Sequence, residues 1–283
     1  MNLVKENISI FFDAIRFKEV FLLTGFPIMG FLLSGSWELA NVIYHAFAFF
    51  LLFLSIYQLN AYFGYVQDFK NERLKGLSKF SKNFYLKVSL ICLGASLILL
   101  SIDGAFIILL GVGIYLLWAL YSQPVFGTKN YPLLGNLTHF IMGIIHFFLG
   151  FLINSSSFLD PMFLAIYFSL LFTGGHLIHE LIDCHADKKN KLKTSATFFG
   201  QKKTILMSQI LFICSFLDLI FLYTNDYLPL TFFIPFSFAF IIQVSFFIIL
   251  KVYKESENGF LRYRQLYRYL YLLAGGLWIV FNY

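Results

Sequence analysis

Charge is what this chain has least of. Its 283 residues hold 15 acidic and 21 basic side chains, 13% of the total, against 59% hydrophobic. A soluble domain of that length has no need for so little charge. With a mean hydropathy of +0.76, the composition excludes an ordinary soluble fold and predicts an integral membrane protein. Cysteine is scarce too. Cys92, Cys184 and Cys214 are scattered among apolar neighbours, which excludes metal-binding or redox spacing and leaves them small hydrophobes. A cleavable signal is not expected, because Lys5, Glu6 and Asp13 precede any long apolar segment. The pI of 9.1 does not indicate nucleic acid, because the basic residues form short clusters between apolar segments rather than one patch. No nucleic-acid partner is expected.

Long apolar runs are what the chain does have. A helix needs about 20 apolar residues to cross the hydrocarbon core, and nine such spans are predicted. They lie near 17–34, 38–66, 84–101, 104–122, 134–154, 161–184, 204–223, 229–252 and 265–282. Numbering the connections alternately sorts the charges. All 21 Lys and Arg fall on one side, and the opposite connections hold Glu38, Asp103, Asp160 and Asp226. The positive-inside rule makes the basic side cytoplasmic, with the amino terminus inside and the carboxyl terminus outside. One missed or invented span would destroy this sorting. The expected fold is an all-α membrane bundle of nine transmembrane helices, a single domain over 1–283.

Two stretches break the apolar pattern in the same way. Asn60, Gly64 and Asp68 stand four apart at the end of the second span, and His179, Asp183 and Asp187 stand four apart at the end of the sixth. Helical residues four apart share one face, so each set forms a polar stripe that runs into a lysine-rich loop, 67–83 or 185–203. The recurrence predicts two pseudo-repeated four-helix halves plus one further helix, an arrangement that builds sites in other membrane folds. One acidic residue at a span end is usually boundary solvation; two stripes of matched spacing, with Glu180 and Asp183 deeper than solvation requires, point to a site. Carboxylate and amide oxygens suit Mg²⁺, which keeps several waters and is completed by substrate phosphates. Asn60 and Asp68 are candidate ligands for one ion, Asp183 and Asp187 for another. Lys70, Lys129, Lys189 and Lys193 are candidates for diphosphate oxygens, although topology alone accounts for many membrane-edge lysines.

Aromatic and imidazole groups near the stripes are candidate substrate-lining residues. Tyr62, Tyr65 and Tyr121 lie nearest the motifs, where ring faces stabilise a cation without trapping it. His139 and His146 stand seven apart on the fifth span, either lining an acceptor pocket, acting as a base, or hydrogen-bonding between helices. His176 is similar. His179 occupies the place in its stripe that Asn60 holds in the other, with Glu180 beside it.

At this point the chain resembles the UbiA superfamily of intramembrane prenyltransferases over nearly its whole length. That family ends its second helix with Asn-x-x-x-Asp-x-x-x-Asp, matched by Asn60 and Asp68. Its second acidic motif, Asp-x-x-Asp-x-x-x-Asp followed by Thr and Gly, is matched at Glu180, Asp183, Asp187, Thr194 and Gly200. Between them, Tyr121-Ser122-Gln123-Pro124, Lys129 and Pro132-Leu133-Leu134-Gly135 match the family's Tyr-Ser-x-Pro, Lys and Pro-x-Leu-Gly. Three departures stand out. Gly64 replaces the middle acid of the first motif, Glu180 replaces an Asp, and the loop after Asp68 lacks Pro-x-Arg-Pro.

The resemblance implies Mg²⁺-dependent transfer of a polyprenyl group from its diphosphate to an aromatic or lipophilic acceptor within the membrane. Asp68, Asp183 and Asp187 are then the catalytic carboxylates. Magnesium and lysine charge stabilise the departing diphosphate, and the acceptor attacks the carbocation-like carbon. The implied partners are prenyl diphosphate, the acceptor and membrane lipid. Two other readings keep the same fold, a membrane terpene cyclase and a non-catalytic relative that binds prenyl lipids, the latter suggested by Gly64. A transporter is a further class, but it predicts carboxylates near the bilayer midplane rather than at its edge.

Overall fold

The computed structural model describes residues 11–12, 14–35, 37–68, 79–254 and 256–282, and these form an all-helical protein. Nine of the described helices have 17 residues or more: α1 (Phe17–Leu33), α2 (Leu39–Asp68), α3 (Lys82–Leu100), α4 (Ala105–Ser122), α5 (Pro132–Phe151), α6 (Asp160–Lys189), α8 (Gln201–Thr224), α9 (Leu230–Ile249) and α10 (Glu257–Asn282). The short α7 (Ser195–Phe198) stands between α6 and α8. Hydrocarbon offers no partner for backbone N–H and C=O groups, so each apolar run satisfies them internally as helix.

Seven of the nine are long and apolar enough to cross a membrane. The other two are α1, which has 17 residues, and α10, whose first half carries Arg262, Arg264 and Arg268. Nine long helices are therefore present among the described residues, but only seven meet the spanning criterion, so the expected count of nine transmembrane helices is not confirmed. The largest boundary difference is at α10, which begins eight residues before the expected 265, because Glu257 and the arginines are helical outside any apolar window.

The two longest described helices, α2 and α6, each have 30 residues. At 1.5 Å per residue each is about 45 Å long, against a hydrocarbon core of about 30 Å. The excess is about three turns, shared between the helix's two ends, and both polar stripes fall in the last turns of these helices.

Contacts within the chain divide it into two compact units, residues 1–128 with 145–155, and residues 129–144 with 156–283. Residues 132–144 of α5 fall in the second unit and 145–151 in the first. In the first unit α2 packs against α1, α3 and α4. Ser89 and Ser96 of α3 donate to the carbonyls of Ser55 and Ala48 at 2.7 and 2.8 Å. Such small hydroxyls let helix backbones approach where lipid supplies no hydrophobic drive. Where α1 meets α5, Gly30 and Gly150 bring the backbones so close that a Cβ on Gly150 would meet the Pro27 carbonyl.

In the second unit α6 packs against α8 and α10, and Ser208 of α8 donates to the Gly174 carbonyl at 2.8 Å. Gly143 of α5 packs onto Ser169 of α6, whose hydroxyl bonds the Phe140 carbonyl. Gln243 of α9 joins two tyrosines of α10. Its amide donates to Tyr263 Oη at 3.0 Å and its carbonyl accepts from Tyr271 Oη at 2.9 Å. These buried polar groups are paired, as a low-dielectric interior requires.

Candidate functional site

The second polar stripe occupies about the last three turns of α6 and the loop that follows. α6 closes with Leu192 N–H bonded to the Asp187 carbonyl and Lys191 N–H to the Lys188 carbonyl, at 2.9 and 3.1 Å. This paired closure is the usual exit from a helix through a left-handed residue, here Lys191 with φ 57°. It turns the chain so that Thr194 comes back beside the helix. Thr194 Oγ1 then donates to Asp187 Oδ2 at 3.3 Å.

Glu180, one turn before Asp183, is buried at 7% exposure. Its Oε2 accepts the backbone N–H groups of Ser195 and Ala196 at 2.8 and 3.3 Å. These are the first donors of α7, which no residue of its own caps. The carboxylate therefore supplies the capping charge from another helix. Its Oε1 lies 3.0 Å from His176 Nε2, an electrostatic contact outside hydrogen-bond direction. The rings of His176 and His139 stack at 3.4 Å between centroids, and His139 Nδ1 is 3.3 Å from the Gly135 carbonyl. On the other side of α7, Asn136 donates to Ser195 Oγ at 2.9 Å.

The remaining carboxylates are less enclosed. Asp183 is half-buried, with His179 Nε2 3.4 Å from its Oδ2. Asp187 is half-buried and stands in the field of two like charges, Asp183 and Glu180, and one opposite charge, Lys129. Lys189 and Lys193 are exposed on the loop side of the same stripe. Three carboxylates on successive turns of one helix attract a cation, and the spacing of Asp183 and Asp187 puts two of them on one face.

Among the described residues no three His, Cys, Asp or Glu side chains gather as a complete metal cage. Magnesium does not need one, since it is commonly held by one or two carboxylates and completed by water and substrate phosphates. Asp183 and Asp187 are hard oxygen donors beside the charge of Lys129, and they fit that requirement. Glu180, with both oxygens engaged inside the chain, does not present itself in the same way.

Gly200 explains the last position of the motif. It precedes α8 with φ 84° and ψ 160°, a conformation only glycine adopts without strain. A Cβ there would meet no atom within 4 Å, so backbone strain alone is at stake. Gly200→Ala is expected to destabilise the protein by about 1–3 kcal/mol, read as a lower unfolding midpoint in detergent.

In the first unit, Asn60 is half-buried on α2, Gly64 is buried one turn on, and Asp68 ends the helix. The side chain of Asp68 lies outside the described residues, as does Lys70. Tyr65 Oη donates to the Phe80 carbonyl at 2.9 Å, and Lys82 Nζ sits 4.6 Å from the Tyr62 ring centroid. The Tyr62 ring thus already faces a cation. Tyr121 is half-buried and meets Trp118 edge-on. His146 is fully buried, and its Nε2 accepts the Trp118 indole N–H at 3.1 Å.

The structure thus brings His139, His179, Glu180, Asp183, Asp187 and Lys129 into one unit, whereas His146, Tyr62, Tyr65 and Tyr121 belong to the other. His139 and His146, seven apart on one helix, enter different surroundings. Asn136 and Ser195, which the sequence reading did not single out, hold α7. The available signal was position, because each directly follows a motif residue, Gly135 and Thr194.

Solved structures of similar fold cover almost all of the chain. One is an apo UbiA homolog from Aeropyrum pernix K1, with a TM-score of 0.73 at 16% identity, covering 94% of this chain and 98% of that one. Another is a UbiA homolog from Archaeoglobus fulgidus bound to DMAPP and Mg²⁺, with a TM-score of 0.69 at 14% identity over 93% and 98%. A digeranylgeranylglyceryl phosphate synthase aligns with a TM-score of 0.67 at 18% identity over 97% and 98%. At these identities the likeness is one of fold. No curated protein matches the chain. The family model of the UbiA prenyltransferases matches residues 21–279, a stretch that includes both polar stripes and the loops after them, and the chain belongs to that family.

Proposed function

We propose that this protein transfers a polyprenyl group from prenyl diphosphate to an aromatic or lipophilic acceptor within the membrane, with Mg²⁺ as cofactor. The observation that carries the reading is the pair Asp183 and Asp187 on one face at the end of α6, under the charge of Lys129. Asp183 and Asp187 would hold the metal, which when bound supplies positive charge to the diphosphate. Lys129, Lys189 and Lys193 add positive charge around the same phosphate oxygens, and Thr194 fixes the orientation of Asp187. Charge developing on a leaving diphosphate is stabilised by such prearranged groups at no cost of reorganisation. The motif residues Asn60, Asp68 and Lys70 are assigned to the same substrate, and Tyr62, Tyr65, Tyr121, His139, His146 and His179 to the surroundings of prenyl chain and acceptor. The basic loops face the cytoplasm, with the amino terminus inside and the carboxyl terminus outside, and residues 1–283 act as one catalytic domain.

DMAPP and Mg²⁺ in one homolog, and GPP and Mg²⁺ in another structure of it, support this substrate class. The test is radiolabelled prenyl diphosphate with purified protein and a panel of lipophilic and aromatic acceptors. Transfer is expected with Mg²⁺, abolished by EDTA and restored by excess Mg²⁺. Folded protein with Mg²⁺ that labels no acceptor overturns the reading. Gly64, buried where the family motif has an acid, favours one second reading, a prenyl-lipid-binding protein. Its result is saturable binding of prenyl diphosphate without turnover.

A further inference from the structure

We infer that His176 and Glu180 are positioning residues. They order the Thr194–Phe198 segment and so set the orientation of Asp187, rather than meeting substrate themselves. The inference rests on the prenyl-transfer reading only for its kinetic consequence. Its structural part stands on a continuous set of contacts inside one unit. His139 of α5 stacks on His176 at 3.4 Å. His176 lies 3.0 Å from Glu180. Glu180 takes the N–H groups of Ser195 and Ala196 at 2.8 and 3.3 Å. Thr194, the residue before them, bonds Asp187 at 3.3 Å.

Glu180 is 7% exposed and His176 9%, so neither presents a charge to a solvated diphosphate. α7 is only four residues long and lacks a side-chain cap of its own, so its first donors depend on Glu180. A buried carboxylate is itself expensive without partners, and His176 with the two backbone donors supplies them. His176 is one turn below Glu180 on α6, and the stacked His139 restricts the rotation of its ring. Removing His176 therefore loosens the carboxylate, then the α7 cap, then the threonine that holds Asp187. Groups supporting a metal ligand in this way typically change metal affinity by about 10–100-fold when removed.

The experiment compares wild type with His176→Phe, which keeps a ring to stack on His139, and His176→Gln, which returns a polar group toward Glu180. The first readout is amide hydrogen exchange of the peptide covering 193–199, which needs no activity. His176→Phe is expected to raise exchange there about tenfold or more, with the rest of α6 and α8 unchanged and His176→Gln largely restoring protection. The second readout is the Mg²⁺ concentration giving half-maximal transfer, expected to rise about tenfold in His176→Phe with a smaller change in kcat, and to recover in His176→Gln. Unchanged exchange at 193–199 overturns the inference, and so does altered exchange with an unaltered Mg²⁺ requirement. A wild-type protein that transfers nothing sinks the prenyl-transfer reading instead, and the exchange result alone then decides this one.

Discussion

Asp187→Asn is expected to lower kcat/KM for prenyl transfer on the order of 10²-fold or more, about 2.7 kcal/mol of transition-state stabilisation. The substitution is nearly isosteric, and its amide oxygen still accepts from Thr194, so the loop keeps its geometry. What disappears is one negative charge from the carboxylate pair proposed to hold the metal. Asp183→Asn is expected to act similarly. The double variant should cost much less than the product of the two, because groups that hold one ion act as a unit. Unfolding midpoints in detergent are expected to stay near wild type or to rise, since each change relieves repulsion among Glu180, Asp183 and Asp187. Retention of transfer within about threefold in Asp187→Asn would remove the carboxylate pair from the mechanism.

The second large effect is on folding and lies away from the chemistry. Gly150→Leu is expected to abolish the monodisperse folded protein, and Gly150→Ala to lower its unfolding midpoint by several degrees. A Cβ at Gly150 would collide with the Pro27 carbonyl and the Phe31 nitrogen, and one at Gly30 with the Phe147 carbonyl and the Phe151 nitrogen. These are backbone atoms, which cannot swing aside as a side chain can, and overpacking generally costs about 1–3 kcal/mol or more. Lipid tails offer the separated helices an environment as apolar as the interface, so close van der Waals fit carries much of the association. Gly113→Ala is the control. A Cβ there meets nothing within 4 Å, and alanine is the better helix former, so its midpoint should equal or exceed wild type. Equal stability of Gly150→Ala and Gly113→Ala would show that the α1–α5 contact is looser than described.

Much of the architecture was legible because its signals are local. An apolar run of about 20 residues has one solution in hydrocarbon, so the predicted spans match the helices closely, as 104–122 matches Ala105–Ser122. Where an element extends beyond the apolar window, the match fails. α10 starts at Glu257 because charged residues continue a helix in water as readily as at a membrane edge. Placing Asp183 and Asp187 on one face needed only the helical repeat. The role of Glu180 was not legible in the same way. Beside two further acids it reads as a substrate contact, whereas its Oε2 meets the backbone of Ser195 and Ala196, partners that its position in the repeat does not reveal.

By itself, the sequence determined the membrane class, the helices and their order, the two polar stripes and the family, since each follows from periodicity, run length or motif spacing along a single stretch. Only the tertiary structure decided which polar groups stay partly open and which are consumed inside the protein. Fully buried His146 is bound to Trp118, Glu180 caps α7, and Asp183 and Asp187 remain half-buried. The physical reason is that a buried polar group must find its partner wherever packing supplies one. That partner was 28 residues away for His146 and 15 for Glu180, distances over which no helical repeat carries information.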